Sequence, residues 1–119
     1  MNQEILKKRF KDFALRIMKL VRALPKTIEG KAVGNQIFRS GTSSAANYRA
    51  ACRARSKKDF IAKLGIVEEE LDETMFWLEM IMESNMMKRQ LLTPLFDEAN
   101  ELLSITIKSK VTARKNNQK

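Results

Sequence analysis

The sequence predicts an all-α protein that folds as one up-down-up-down four-helix bundle. The chain has 119 residues, which suits one domain, and 44% of them are hydrophobic, which is enough for a core. Apolar residues recur at helical spacing in four segments, and the connections between the segments are short. Only four glycines and two prolines interrupt the chain. We place the bundle in residues 1–112 and a polar tail in residues 113–119.

The first helix is predicted from Glu4 to Leu24. With about 100° of rotation per residue, its apolar side chains fall within an arc of about 120°. Lysines and arginines cover the rest of its surface, which is typical of an amphipathic helix. Pro25 ends the helix, because a residue that precedes proline disfavours helical geometry. The apolar arc consists of Leu6, Phe10, Phe13, Ala14, Ile17, Leu20, Val21 and Leu24.

A stretch rich in Gly, Ser and Ala, residues 39–55, has the composition of a linker. Its residues nevertheless sort onto two opposite arcs of a helix, which a linker would not show. We therefore predict a second helix from Ile28 to Arg55. The inner arc holds Val33, Ile37, Phe38, Ser44, Ala45, Tyr48, Ala51 and Cys52, and the outer arc holds Arg39, Thr42, Ser43, Ala46, Arg49, Ala50 and Arg53.

Glycines weaken this second helix. Gly34 and Gly41 each cost about 1 kcal/mol relative to alanine in a helix interior. Small side chains also allow a neighbouring helix to approach closely, so packing has to supply the stability that local propensity lacks.

Capping signals precede the third and fourth helices. Ser56 and Asp59 form a variant of the capping box, in which each side chain bonds a backbone amide of the other residue. The third helix follows to about Ser84, with Phe60, Leu64, Val67, Leu71, Met75, Leu78 and Met82 at a/d spacing. Thr93 is predicted as the next N-cap, with Pro94 in the first turn of a helix that runs to about Val111.

The residue inventory argues against an enzyme. The chain has no histidine, and its single cysteine, Cys52, cannot build a zinc site. Di-iron bundles use Glu-x-x-His motifs that face inward, whereas the carboxylates of the third helix face outward. No Walker-type phosphate loop is present. We therefore expect neither a metal nor another cofactor.

The expected location is the cytoplasm. The sequence opens without the apolar stretch of a signal peptide, and no apolar run reaches membrane-spanning length, so no membrane partner is expected. A lone cysteine also suits a reducing compartment. We interpret Cys52 as a small buried hydrophobic residue.

The net charge of +9 is unevenly distributed along the chain. Residues 1–58 hold 15 Lys and Arg against three acids, whereas residues 59–119 hold eight Lys and Arg against 11 acids. A basic segment of this kind suits an anionic partner such as nucleic acid. It equally suits the acidic half of another copy of the chain, or a role in solubility alone.

The arginines of the second helix are the main functional candidates, because a guanidinium group binds phosphate oxygens in bidentate fashion. The predicted nucleic-acid-binding residues are Arg49, Arg53, Arg55, Lys57 and Lys58. The alternative is that they pair with acids across the bundle or between subunits. For Arg39, in the middle of the helix, we favour a buried ion pair with Glu69, Glu70 or Glu73.

Two apolar residues interrupt the acidic outer face of the third helix. Phe76 and Met80 lie there, and Trp77 lies at the edge of the core face. Because an exposed aromatic side chain is costly unless something covers it, we predict that Phe76, Met80 and Trp77 pack on a neighbouring subunit. The alternative is a local rotation of the helix that buries Phe76.

Residues 35–81 resemble the bacterial four-helix bundle proteins that are encoded in intervening sequences of 23S rRNA genes. The matching positions are Gln36, Arg39, Ser40, Asn47, Phe60, Lys63, Leu64, Glu69, Glu70, Leu71 and Trp77. The resemblance implies a ring-shaped assembly, typically a homopentamer, and no established activity. A related group comprises accessory proteins of diversity-generating retroelements, which are basic pentamers that bind nucleic acid and a reverse transcriptase. For this chain, the resemblance therefore implies RNA, DNA, a reverse transcriptase or another protein as partners.

Together these observations predict a non-enzymatic, oligomeric bundle that binds nucleic acid through a basic surface. The alternative is a protein–protein adaptor or self-assembling scaffold with no nucleic-acid role.

Overall fold

A computed structural model describes residues 2–117, apart from the side chain of Asn117. Its four helices are α1 (Gln3–Ala23), α2 (Ile28–Cys52), α3 (Lys57–Glu83) and α4 (Arg89–Asn117), and the described residues contain no strand. The helices form one elongated body of 52 × 21 × 20 Å. The predicted all-α bundle is confirmed.

Connections of four or five residues join the helices, so each helix runs antiparallel to the next. α2 packs against both α1 and α3, and α3 packs against α4. α1 closes the bundle by contacting α4, but this pair is the least closely packed of the four. The bundle therefore has three tight seams and one looser seam.

Side-chain caps define where three helices begin. The Ser56 hydroxyl accepts a hydrogen bond from the Asp59 amide at 3.0 Å, which confirms the predicted cap of α3. Asn2 and Thr27 cap α1 and α2 in the same way. The reciprocal half of the predicted capping box is not observed, because the Asp59 carboxylate accepts instead from Lys63 Nζ at 3.0 Å.

The predicted start of α4 is wrong by about one turn. The helix begins at Arg89, and the Thr93 hydroxyl donates to the Arg89 carbonyl at 3.0 Å inside the helix instead of capping it. The extra turn carries Leu92, which is fully buried, so tertiary packing outweighs the local Thr-Pro signal. At its other end α4 continues past residue 112 to Asn117, and Ala113 is buried. Residues 118 and 119 of the predicted tail lie outside the described residues.

The Gly/Ser/Ala-rich stretch is helical and closely docked. A methyl group at Gly41 would lie 2.9 Å from two carbons of Ile17, so α1 approaches α2 more closely than alanine would allow. On the side that faces α3, the buried Thr74 hydroxyl donates to Ser40 Oγ at 2.9 Å. The predicted inward position of Phe38 is wrong, because its side chain is 44% exposed.

Phe10 and Tyr48 stack at the other end of the α1–α2 seam, with ring centroids 4.6 Å apart. Burial, followed by contact with Cys52, raises the pKa of Tyr48. Cys52 itself is a free thiol that is only partly buried. This seam positions the last turns of α2 beside the first turns of α1.

Candidate nucleic-acid interface

The fold concentrates positive charge at one end of the bundle. We call this the basic end, and it comprises the start of α1, the end of α2, the start of α3 and the end of α4. It holds 14 Lys and Arg against five acids, whereas the other half of the described chain holds eight against nine. The net charge of +9 is thus located at this end. The basic end consists of residues 2–12, 42–69 and 104–117.

A cleft of about 440 Å³ lies between α1 and α2 at the basic end. We call it the α1–α2 cleft. Alanines from both helices leave room for it, and the side chains around them are mostly basic. Five cations and a single acid line it, so its potential attracts an anion. The lining residues are Glu4, Lys7, Lys8, Lys11, Ala14, Ala45, Ala46, Arg49 and Arg53.

Arg49 and Arg53, both predicted site residues, lie in this cleft and are exposed. Neither forms an ion pair with a carboxylate of residues 2–117. Among the lysines opposite, Lys7 pairs with Glu4 at 2.7 Å and Lys8 pairs with Asp12 at 3.0 Å. No carboxylate of residues 2–117 therefore competes with a phosphate for these two guanidinium groups.

The other three predicted residues lie in the turn that follows α2 and in the first turn of α3. Arg55 and Lys57 line a second hollow of about 270 Å³, which also contacts Gln3 and Phe60. Lys58 is exposed and lines neither hollow. None of the three pairs with a carboxylate within the described chain. The structure thus divides the predicted residues between the cleft and an adjoining hollow.

Arg39 has a structural role. It bonds Glu70 at 3.1 Å and Glu73 at 2.5 Å, which joins α2 to α3, and Glu69 takes no part. The hydrogen bond that Arg39 donates to Glu73, followed by the charge of Glu70, raises the pKa of Arg39. The predicted pairing is confirmed, but its predicted burial is wrong, because half of the Arg39 side chain is exposed.

Two further cations join helices. Arg9 of α1 bonds Glu98 of α4 at 2.6 Å and Glu101 at 3.2 Å, and the hydrogen bond to Glu98 is the main reason that the pKa of Arg9 is raised. Lys110 bonds Glu68 of α3 at 2.7 Å. These pairs hold α4 against its two neighbours, whereas Arg49 and Arg53 pair with no carboxylate of residues 2–117.

The outer face of α3 carries an exposed apolar patch. Phe76 is 49% exposed and Met80 is 43% exposed, so the alternative in which a rotated helix buries Phe76 is excluded. Trp77 is half-buried, stacks edge-on against Phe76, and donates its indole N–H to Glu73 at 3.2 Å. About three turns before Phe76 on the same face, Gly65 has open space where a Cβ would be.

No three His, Cys, Asp or Glu side chains come together as a metal site in the part of the chain that is described. Over the same residues, each helix is too short or too polar to traverse a lipid bilayer.

The sequence model of the 23S rRNA-intervening sequence proteins matches residues 2–108. The chain belongs to this family. A crystal structure of a protein with unknown function from the S23 ribosomal protein family of Bacteroides thetaiotaomicron VPI-5482 is similar throughout. It shares 33% sequence identity and a TM-score of 0.86, over 92% of this chain and 98% of that one. No curated protein matches the chain.

The family resemblance seen in residues 35–81 thus extends over nearly the whole of this chain, and the matched residues include every predicted site residue. The similar structure supports the four-helix fold and indicates no reaction. Assignment of the site in this family member therefore depends on its own charges and clefts.

Sequence reasoning missed part of this surface. The cleft also contains Lys7, Lys8 and Lys11, which the helical pattern alone placed on a solvated face. Lysines and arginines near the end of α4 join the same end of the bundle: Lys108, Lys110, Arg114 and Lys115. Pairing the helix ends of an antiparallel bundle before counting charges would have identified both groups.

Proposed function

We propose that this 23S rRNA-intervening sequence protein is a non-enzymatic bundle that binds RNA or DNA through its basic end. The observation that carries the proposal is the α1–α2 cleft, where Arg49 and Arg53 are exposed and unpaired by residues 2–117. Arginine presents a planar fork of donors that matches phosphate oxygens. Lys7, Lys8 and Lys11 would bind phosphates from the opposite wall.

Such binding would be directed to the nucleic-acid backbone. Phosphate contacts set position and affinity but carry no sequence information, and the basic end presents cations from several helices instead of one recognition helix. Affinity should therefore depend on salt, because each neutralised phosphate releases counterions. We expect affinity to fall steeply between about 50 and 200 mM salt.

A charge-reversal experiment tests the site. Arg49→Glu, Arg53→Glu and Lys57→Glu together should abolish binding of labelled RNA and DNA at low salt, while circular dichroism remains unchanged. The matched control replaces Arg16, Lys19 and Arg22 with glutamate. These residues lie in the other half of α1, and their substitution changes the net charge by the same amount. The control should retain most of the affinity. Equal losses in both variants would refute the site assignment.

We also propose that the protein self-associates through the outer face of α3. The exposed side chains of Phe76 and Met80 support this, and Trp77 borders them. The acidic surroundings of this patch complement the basic surface of another copy. The expectation of a homopentamer comes from the family resemblance. Phe76→Glu should lower the sedimentation coefficient at micromolar concentration, whereas Leu15→Glu, at an exposed leucine of α1, should not. A monomeric wild-type protein would refute this assembly.

The same patch favours a second candidate function, that of a protein–protein adaptor. In that case the charged faces would serve assembly and one protein partner, and nucleic acid would play no part. Filter binding to mixed RNA and DNA at low salt separates the two functions, because an adaptor would retain neither.

A further inference from the structure

An apolar groove of about 640 Å³ opens at the basic end, beside the candidate site. It lies where α1 and α4, the least closely packed neighbours, leave space along the first turns of α3. Its apolar walls come from Leu6, Phe60, Ile105 and Ala113, and two exposed lysines, Lys57 and Lys108, border it. An apolar groove flanked by cations suits a ligand that is both flat and anionic.

Phe60 connects this groove to the proposed binding surface. It is half-buried, and with Lys57 it lines both the groove and the hollow that contains Arg55. A nucleic-acid strand whose phosphates contact Arg55 and Lys57 would therefore also lie next to the groove, because the hollow and the groove share Lys57 and Phe60.

We propose that the groove binds an unpaired base of a single-stranded nucleic acid, and this inference depends on the proposed function. The base would lie against Phe60, and its flanking phosphates would contact Lys57 and Lys108. A single strand can place a base there because its bases are accessible, whereas a duplex keeps them stacked inside. Lys57 and Lys108, which pair with no carboxylate of residues 2–117, favour a nucleotide over an apolar peptide helix, because such a helix would leave them without an anionic partner.

Substitution of one aromatic ring tests the inference without a change in charge. The probes are an oligothymidylate of about 20 nucleotides, which exceeds the usual single-strand site of a small domain, and a duplex of matched length. Electrostatics alone favours the duplex, because it has the higher charge density. We expect the wild-type protein to bind the single strand at least as tightly as the duplex.

Phe60→Leu should then lower single-strand affinity about tenfold, the scale of one lost base–aromatic contact. Duplex affinity and the salt dependence should not change, because no phosphate contact is removed. Phe96→Leu is the matched control, since Phe96 is also half-buried, packs against the core and lies at the opposite end of the bundle. It should leave both affinities unchanged. Fluorescence of a 2-aminopurine base in the single strand should be quenched by the wild-type protein and by Phe96→Leu, but less by Phe60→Leu.

The outcomes distinguish two failures. Binding of both probes with no effect of Phe60→Leu would overturn the groove assignment and leave the proposed function intact, as expected if a protein helix occupies the groove. Equal losses in Phe60→Leu and Phe96→Leu would also overturn it, because the effect would then be general destabilisation. If the wild-type protein bound neither probe, the proposed function and this inference would both be refuted.

Discussion

Substitution of two helical glycines by alanine should have opposite effects on stability. Gly41 in α2 faces Ile17 of α1, and Gly65 in α3 faces open space. Alanine is favoured over glycine in a helix interior by about 1 kcal/mol. Helix propensity therefore makes the same favourable contribution at both sites, and packing decides whether the substitution raises or lowers the free energy of unfolding.

At Gly41 the added methyl group would lie 2.9 Å from both Cγ1 and Cγ2 of Ile17. Ile17 is fully buried and β-branched, so its χ1 angle has essentially one helical rotamer and cannot move away. Overpacking of this kind costs about 1–3 kcal/mol, which exceeds the gain in propensity. We expect Gly41→Ala to lower the free energy of unfolding by about 1 kcal/mol and Gly65→Ala to raise it by about 0.5–1 kcal/mol.

Urea denaturation followed by circular dichroism, at equal protein concentrations, measures both changes. A double-mutant cycle with Ile17→Ala identifies the contact, because removal of both γ carbons should relieve the clash and give a coupling energy of about 0.5–3 kcal/mol. If Gly41→Ala stabilised the protein as much as Gly65→Ala, α2 would not be docked closely on α1, and the position of the α1–α2 cleft would be wrong.

Three further predictions concern single contacts. Tyr48 is the only tyrosine, and burial raises its pKa, so its stabilising contribution is complete below the ordinary value of 10.0 and is lost as pH rises above it. Tyrosinate absorbance should therefore appear at a higher pH in the folded protein than in urea, and coincident curves would contradict this. Arg9→Met should cost about 1–2 kcal/mol in urea denaturation by leaving the half-buried Glu98 unpaired, and no loss would show that the pair contributes nothing. Gly30→Ala should lower the melting temperature more than Gly41→Ala, because its methyl group would overlap the Pro25 carbonyl, a backbone group; a smaller drop would show that this turn is pliable.

Local interactions explain what could be predicted from the sequence. The bounds of α1 and α3 agree with the predicted bounds to within one residue, and α2 ends three residues earlier than predicted. Hydrophobic periodicity and a cap such as Ser56 act between residues that are a few positions apart. The start of α4 was mispredicted for the complementary reason, because burial of Leu92 against other helices outweighed the Thr93 signal.

Angular patterns also predicted which sides of α2 and α3 face away from the core, but not where the edge of the core lies. Phe76 and Met80 were correctly placed away from the core, and Arg39 was correctly assigned to pair with acids of α3. The periodicity of α2 could not show that Phe38 lies beyond the edge of the core. Exposure at that edge depends on the distance to the neighbouring helix.

The sequence by itself determined that the chain forms four amphipathic helices, that it has no histidine and only one cysteine, and that its first half is basic. Only the tertiary structure decided that the cations of α1, α2 and α4 share one end and that a groove opens beside Phe60. It also decided that Arg9 and Arg39 form ion pairs, whereas Arg49 and Arg53 pair with no carboxylate of residues 2–117. The physical reason is that antiparallel packing brings together residues up to about a hundred positions apart, and their charges act through space and not along the chain.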